Sequence, residues 1–356
     1  MPSSLNAILI AWALSLILVL GGFMGIEFLA APPAAHDEPT HEPAPKPKGD
    51  DHGKADAPAT TEEGHDAPAE THQAEDTSHG EPASVPGPGP ATFADDALIE
   101  KSPLGPLPKR SNDGMTPMER YASPHPADDK TPRIAIIVSE MGLRARTTEA
   151  AITGLPGPVT LAFSPYGSDL DRWTKAAREH GHETLLLLPM EPIEYPQMDP
   201  GALALLTGNN LRQNTRLLET SMAKFTGYVG VVNQMGSRFT AAADSLKPIL
   251  EAVERRGLLF VDARTTRYSR AATMARGMGL PIAINNGFVD ETLEAAAMRQ
   301  ELLLLENRAR TVGAAVGIAR PYPITVDVLK EWAEGLSERG FVLVPVTAIA
   351  DRQPVN

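Results

Sequence analysis

The chain has 356 residues, a net charge of −13 and no cysteine, and these three facts exclude several function classes at once. Without cysteine there are no disulfides, thiolate metal sites or cysteine nucleophiles. The acidic balance argues against nucleic acid or anionic lipid as a partner, so no nucleic-acid partner is expected.

Residues Ala7 to Ile26 carry no charged side chain. As a helix they would be about 30 Å long, the hydrocarbon thickness of a bilayer. No Lys or Arg precedes the run, and Pro32 directly follows the small pair Ala30-Ala31. Both features favour an uncleaved transmembrane anchor over a signal peptide, so residues 1–30 are expected to hold the chain in a membrane. Residues 31–130 are rich in Pro, Ala, Glu, Asp and His, with almost no large apolar side chain before Phe93. Such a segment cannot bury enough surface to offset its ordering entropy, which predicts a disordered linker. As a coil, it would reach on the order of 50–60 Å. Seven histidines lie in it: six (His36, His41, His52, His65, His72 and His79) stand five to thirteen residues apart, and His125 lies near its end. That irregular spacing reads as a soluble spacer more than a metal-collecting tract.

From residue 131 to 356 the composition changes to alternating strands and helices. Apolar runs predict strands at 134–138, 159–163, 184–188, 228–232, 258–262, 281–284, 312–318 and 341–346. Amphipathic patterns predict helices at 169–180, 211–224, 244–256, 290–310 and 325–339. Asp244, Asp290 and Thr325 suit helix N-caps, and Gly181, Gly257 and Gly340 suit helix exits. About eight βα units mean a parallel sheet, either closed as a barrel or open and doubly wound. No G-x-G-x-x-G follows the first strand, which argues against a dinucleotide fold.

In such folds the carboxyl ends of the strands meet ligands. Those ends carry Ser139 and Glu140, Ser164 and Tyr166, Met190 and Glu191, Asn233 to Arg238, Asp262 and Arg264, Asn285 and Asn286, and Arg320 and Tyr322. This is a set suited to hydrogen-bonding sugar hydroxyls.

Three stretches are distinctive: Leu188-Pro189-Met190-Glu191-Pro192, Asn233-Gln234-Met235-Gly236-Ser237-Arg238 and Asp262-Ala263-Arg264-Thr265. With Leu161 to Gly167 and Asp199 to Gly208, in this order and spacing, the chain resembles the divergent polysaccharide deacetylase family, the YibQ-like proteins of Gram-negative envelopes. The resemblance runs from about Arg133 to Ala350. It implies an α/β fold, an irregular (β/α) barrel of the glycoside hydrolase/deacetylase type. It also implies an extracytoplasmic place and kinship to metal-dependent enzymes that remove acetyl groups from glycans. With the anchor, this predicts inner-membrane attachment and a periplasmic folded domain.

Several family positions are replaced. Ser139 and Glu140 stand where the family usually has two aspartates. Leu187 and Gln234 each stand where it has histidine. Ala319-Arg320-Pro321-Tyr322-Pro323 stands for Gly-His-Pro-His-Pro. The residues themselves point the same way. A catalytic zinc site needs about three protein ligands, usually with histidine among them. Beyond the linker-end His125, the folded part holds only His180 and His182, which flank Gly181 before a strand begins. No metal or other cofactor is therefore expected. The alternative is a divalent cation on Glu140, Asp262 and Asp290. No G-x-S-x-G elbow is present, and Glu140 with Asp262 is the best carboxylate pair for acid–base work.

The resulting expectation is an envelope-anchored pseudoenzyme that binds a glycan, a peptidoglycan fragment or an envelope protein. Its expected binding residues are Ser139, Gln234, Ser237, Arg238, Arg264, Arg320 and Tyr322. Gln234 and Arg320 would donate hydrogen bonds where the family holds a metal. The alternative is an active hydrolase that removes acetyl groups, with Glu140 as base supported by Asp262.

Overall fold

The computed structural model describes residues 94–125 and 130–355. The predicted anchor and most of the predicted linker, with the six histidines from His36 to His79, lie outside the described residues. Among the described residues, no helix is long and apolar enough to cross a membrane.

All eight predicted strands form, with their ends moved by a few residues. They are β3 (Arg133–Met141), β4 (Thr160–Phe163), β5 (Thr184–Met190), β6 (Gly230–Met235), β7 (Leu259–Asp262), β8 (Ile282–Ile284), β10 (Ala314–Ala319) and β11 (Val342–Leu343). A two-residue strand, β9 (Gly287–Phe288), is added. These strands form one nine-stranded sheet in the order β8-β7-β6-β5-β4-β3-β10-β9, with β11 also beside β3. Every pairing in it is parallel. The two ends of that order, β8 and β9, are joined by only Asn285 and Asn286. The sheet therefore curls into an irregular barrel rather than lying open. Asn286 closes the seam: its amide donates to Val316 O at 2.8 Å, and its side-chain oxygen accepts from Val316 N at 2.9 Å.

Helices cover the outside: α2 (Ala145–Gly154), α3 (Leu170–Glu179), α4 (Leu211–Met222), α5 (Ala243–Arg255), α6 (Ala271–Met278), α7 (Ala295–Val312) and α8 (Pro323–Glu334). Strand side chains alternate between two faces. Ile134, Ile136, Val138, Leu186, Leu188, Phe260 and Ile282 pack outward against these helices. Ala135, Ile137, Leu185, Leu187, Leu259, Val261 and Val316 fill the barrel interior.

Three expected N-caps are corrected. Asp244 lies inside the first turn of α5, whose N-cap is Ala242. The N-cap of α7 is Glu294, four residues later than expected, because Asp290 instead accepts hydrogen bonds from Arg320 and Thr325. The N-cap of α8 is Tyr322, since Pro323 suits the first helical position.

Residues 94–123, which composition assigns to the linker, are folded. β1 (Ile99–Ser102) and β2 (Gly105–Pro108) form an antiparallel hairpin. Helix α1 (Pro117–Tyr121) begins with a reciprocal capping box between Thr116 and Glu119. Leu98 and Tyr121 join the interior cluster. Val344, Val346, Ala348 and Ile349, at and before a 3₁₀ turn (Val346–Ile349), join it too. Thr347 and Ser123 both donate to the buried carboxylate of Glu183, just before β5. Both chain segments thus seal the amino-terminal end of the barrel, and the carboxyl end is left open.

Candidate functional site

A cavity of about 320 Å³ occupies the open end. Ile137, Leu187, Val232, Ala263, Phe288 and Ile318 make its apolar floor. Its polar wall is Ser139, Glu140, Asn233, Gln234, Thr265, Asp290, Glu291 and Arg320. The volume lies at the small end of the ~300–1,000 Å³ typical of ligand pockets, and an apolar floor with a few directed polar groups is their usual lining.

The backbone turns sharply where these side chains enter. Glu140 has φ +60°, Met235 φ +54° and Arg264 φ +49°. They stand at the ends of β3 and β6 and just past the end of β7, in the left-handed region that costs a non-glycine residue roughly 1–2 kcal/mol. At Glu140 the β3–β4 register shifts between Val138 and Met141. That bulge re-aims the chain, and Ser139 and Glu140 both line the cavity. Ser139 donates to Ala319 O at 3.0 Å, and Thr265 donates to Met235 O at 3.0 Å, which ties neighbouring strand ends together.

Asp290 is 2% exposed and is fully engaged. It accepts from Arg320 N at 2.8 Å and from Thr325 Oγ1 at 3.1 Å, and the Arg320 guanidinium lies 3.5 Å from its other oxygen. Arg320 also donates to Asp290 O at 2.7 Å. The pair fixes the guanidinium on the cavity wall. Opposite in character is Gln234, whose Oε1 is buried without a hydrogen-bond partner. Such an orphan costs about 1–3 kcal/mol, which a ligand donor would recover.

Of the nine expected site residues, Ser139, Glu140, Gln234 and Arg320 come together here. The other five do not. Asp262 sits on the outward face of β7, 2% exposed, accepting from Arg264 N and Ser269 Oγ. Burial pushes its carboxyl above the usual range, against those two hydrogen bonds. It caps a turn and does not pair with Glu140 across the cavity, because strand alternation aims it into the helix layer. Ser237 and Arg238 hold the loop after β5: Ser237 accepts from Ile193 N, and Arg238 donates to Ile193 O. Tyr322 packs on the Arg320 guanidinium, 5.1 Å from its ring, outside the cavity lining. Arg264 lines a separate cavity.

The residues missing from the expected binding set are Asn233, Thr265, Asp290 and Glu291. Asn233 and Thr265 lie inside the quoted motifs, but strand parity groups Asn233 with the outward-facing Val231, and Thr265 lies past the end of β7, so alternation singles out neither. Asp290 reads as a helix cap in sequence. Only the β9 insertion, which has no sequence signal, brings it to the cavity.

The residues do not fit the metal that the resemblance implies. Leu187, Gln234 and Arg320 all line the cavity at replaced positions. Asp290 is committed to a guanidinium, and Asp262 is absent from the lining, so the Glu140–Asp262–Asp290 set does not assemble. Among the described residues, no group of three or more His, Asp or Glu side chains is placed to hold a metal. The histidines stand elsewhere. His180 contacts Ala176 O, and His182 is fully buried between Val159 O and Ile152 O.

Comparison with known proteins places this barrel. The chain is 26% identical over 224 residues to the uncharacterized protein YibQ of Escherichia coli K12, covering 63% of this chain and 69% of that one. It is 26% identical over 206 residues to an uncharacterized protein of Haemophilus influenzae, covering 58% and 72%. A crystal structure of an uncharacterized protein from Agrobacterium tumefaciens C58 superposes with a TM-score of 0.67 at 36% identity, covering 69% of this chain and 99% of that one. The sequence profile described as divergent polysaccharide deacetylase matches residues 136–350. The chain therefore belongs to the divergent polysaccharide deacetylase family.

Proposed function

We propose that this protein binds an envelope glycan in the cavity at the barrel's open end, without a metal and without turning the glycan over. One observation carries the reading: the replaced family positions Ser139, Glu140, Leu187, Gln234 and Arg320 converge on a single cavity. Their side chains there are hydrogen-bonding or apolar groups. A sugar ring offers an apolar face to Leu187, Ile318 and Phe288, and hydroxyl or amide groups to the rim. The unpartnered Gln234 Oε1 would accept a hydroxyl or N-acetyl N–H. Arg320, held by Asp290, would donate to a carbonyl or ring oxygen.

The hydrolase alternative has Glu140 as base supported by Asp262, and Asp262 faces away from the cavity. For location, the proposal is an anchor at residues 7–26 with the barrel in the periplasm, where such glycans occur. A peptidoglycan fragment is the first ligand to try.

The test is calorimetric titration of the full chain, in detergent, with N-acetylglucosamine oligomers and muropeptides. Saturable binding that falls about tenfold or more in Gln234→Leu or Arg320→Met supports the reading, the size expected for a lost hydrogen bond to a buried or charged group. Release of acetate that vanishes in Glu140→Gln would replace it with the hydrolase reading. No binding by any of these glycans would sink both.

A further inference from the structure

A second cavity, of about 530 Å³, opens beside the first. It lies between the turn after β7, the β8–β9 seam and helix α7. Phe288 lines both cavities, and Ala263, Arg264 and Thr265 in succession line the first, the second and the first. The two are neighbours along one rim.

The second cavity is strongly cationic. Arg264, Arg267 and Arg308 line it against one carboxylate, Glu301. Helix α7 presents Glu301, Leu304, Leu305 and Arg308 on one face, as their spacing of three and four dictates. Among the described residues, none of the three arginines has an ion-pair partner, although arginines elsewhere on the barrel do. Arg308 Nε is buried with no hydrogen-bond partner. A buried, unmet donor on a charged group is costly, and the protein carries it here beside two more guanidiniums. Arg264 is held in its left-handed conformation by its N–H bond to Asp262 Oδ1 at 2.9 Å. The strained turn, whose backbone the outward-facing aspartate fixes, thus brings the Arg264 side chain to the cavity. Arg267 stacks on Tyr268, 4.7 Å from its ring, at the mouth.

We propose that this cavity is an oxyanion subsite, taking a carboxylate or phosphate group carried by the ligand. Planar guanidiniums bind both groups through paired hydrogen bonds. The shared Phe288 wall makes the anion a substituent of the same glycan whose ring occupies the first cavity, and in that respect the proposal rests on the glycan reading. The anion site itself does not.

The experiment is titration of the full chain with inorganic phosphate, glucuronate, glucose and N-acetylglucosamine, at low and high salt. Phosphate or glucuronate should bind more tightly than glucose, and more weakly at high salt. Arg308→Gln should weaken the anions about tenfold or more, the equivalent of one charge-assisted hydrogen bond. Arg267→Gln, at an exposed position where folding is not at stake, should weaken them several-fold. Neither should change N-acetylglucosamine binding. The tighter anion identifies the source, carboxylate or phosphate. Binding of both anions no tighter than glucose, or binding unchanged in both variants, overturns the proposal. Anion binding without N-acetylglucosamine binding would leave the oxyanion site standing and sink the glycan reading.

Discussion

Glu140 is a carboxylate held where the backbone prefers glycine, at φ +60°. Glu140→Gly should therefore match or exceed the wild type in stability, and Glu140→Ala should be about 1 kcal/mol less stable than Glu140→Gly. Urea unfolding of the two variants checks this, and equal midpoints would refute the strain. His182 makes a second residue-scale prediction. Its ring nitrogens lie 2.8 and 3.0 Å from two carbonyl oxygens, but a neutral imidazole has one N–H to give. Burial holds its pKa below the usual value, against the pull of those two carbonyls. The neutral form is thus the folded form. Its stabilising effect is complete above about pH 6.5, the unfolded value, and is lost as pH falls through the lowered folded value. Urea midpoints between pH 7.5 and 5 should fall further for the wild type than for His182→Gln.

At the scale of elements, β6 and β7 meet more closely than side chains allow. A Cβ on Gly230 would lie 2.3 Å from Leu259 O, in a neighbouring backbone that cannot step aside. Gly230→Ala should cost about 1–3 kcal/mol or more, as overpacking does. Thermal melting would show it, and a Tm within a degree of wild type would refute the close approach. The strands and most helices were legible in the sequence because periodicity and burial agree there. Helix starts were less so: Asp290 has the chemistry of a cap, but a distant guanidinium competes for it. The site was half legible. Gln234 and Arg320 announce themselves by replacing residues in a motif. Whether Asp262 faces inward depends on strand parity, and a single residue of register reverses it.

At the scale of the molecule, composition drew the linker boundary about 35 residues too late. Residues 94–123 are too polar on average to read as core, yet Leu98 and Tyr121 are 2% and 3% exposed in the barrel interior. Three anchors, these two and the equally buried Leu107, leave no periodic signal among many polar neighbours. A chain beginning at Lys130 should lose ~5–9 kcal/mol, the burial of those three side chains, relative to one beginning at Ala94. Equal urea midpoints for the two would show that the hairpin segment is dispensable.

The seam between β8 and β9 gives the barrel the mechanics of a hoop shut by a clasp. The pin is Gln353, three residues from the chain's end. Its amide donates to Ile284 O at 2.7 Å and to Asn286 Oδ1 at 2.8 Å, and its oxygen accepts from Ile284 N at 2.7 Å. Asn285 and Asn286 line the arginine cavity, and Phe288 forms part of both cavity walls. Whatever fills those cavities therefore presses on the clasp, and the girth of the hoop is fastened by the same few amides that the ligand would touch.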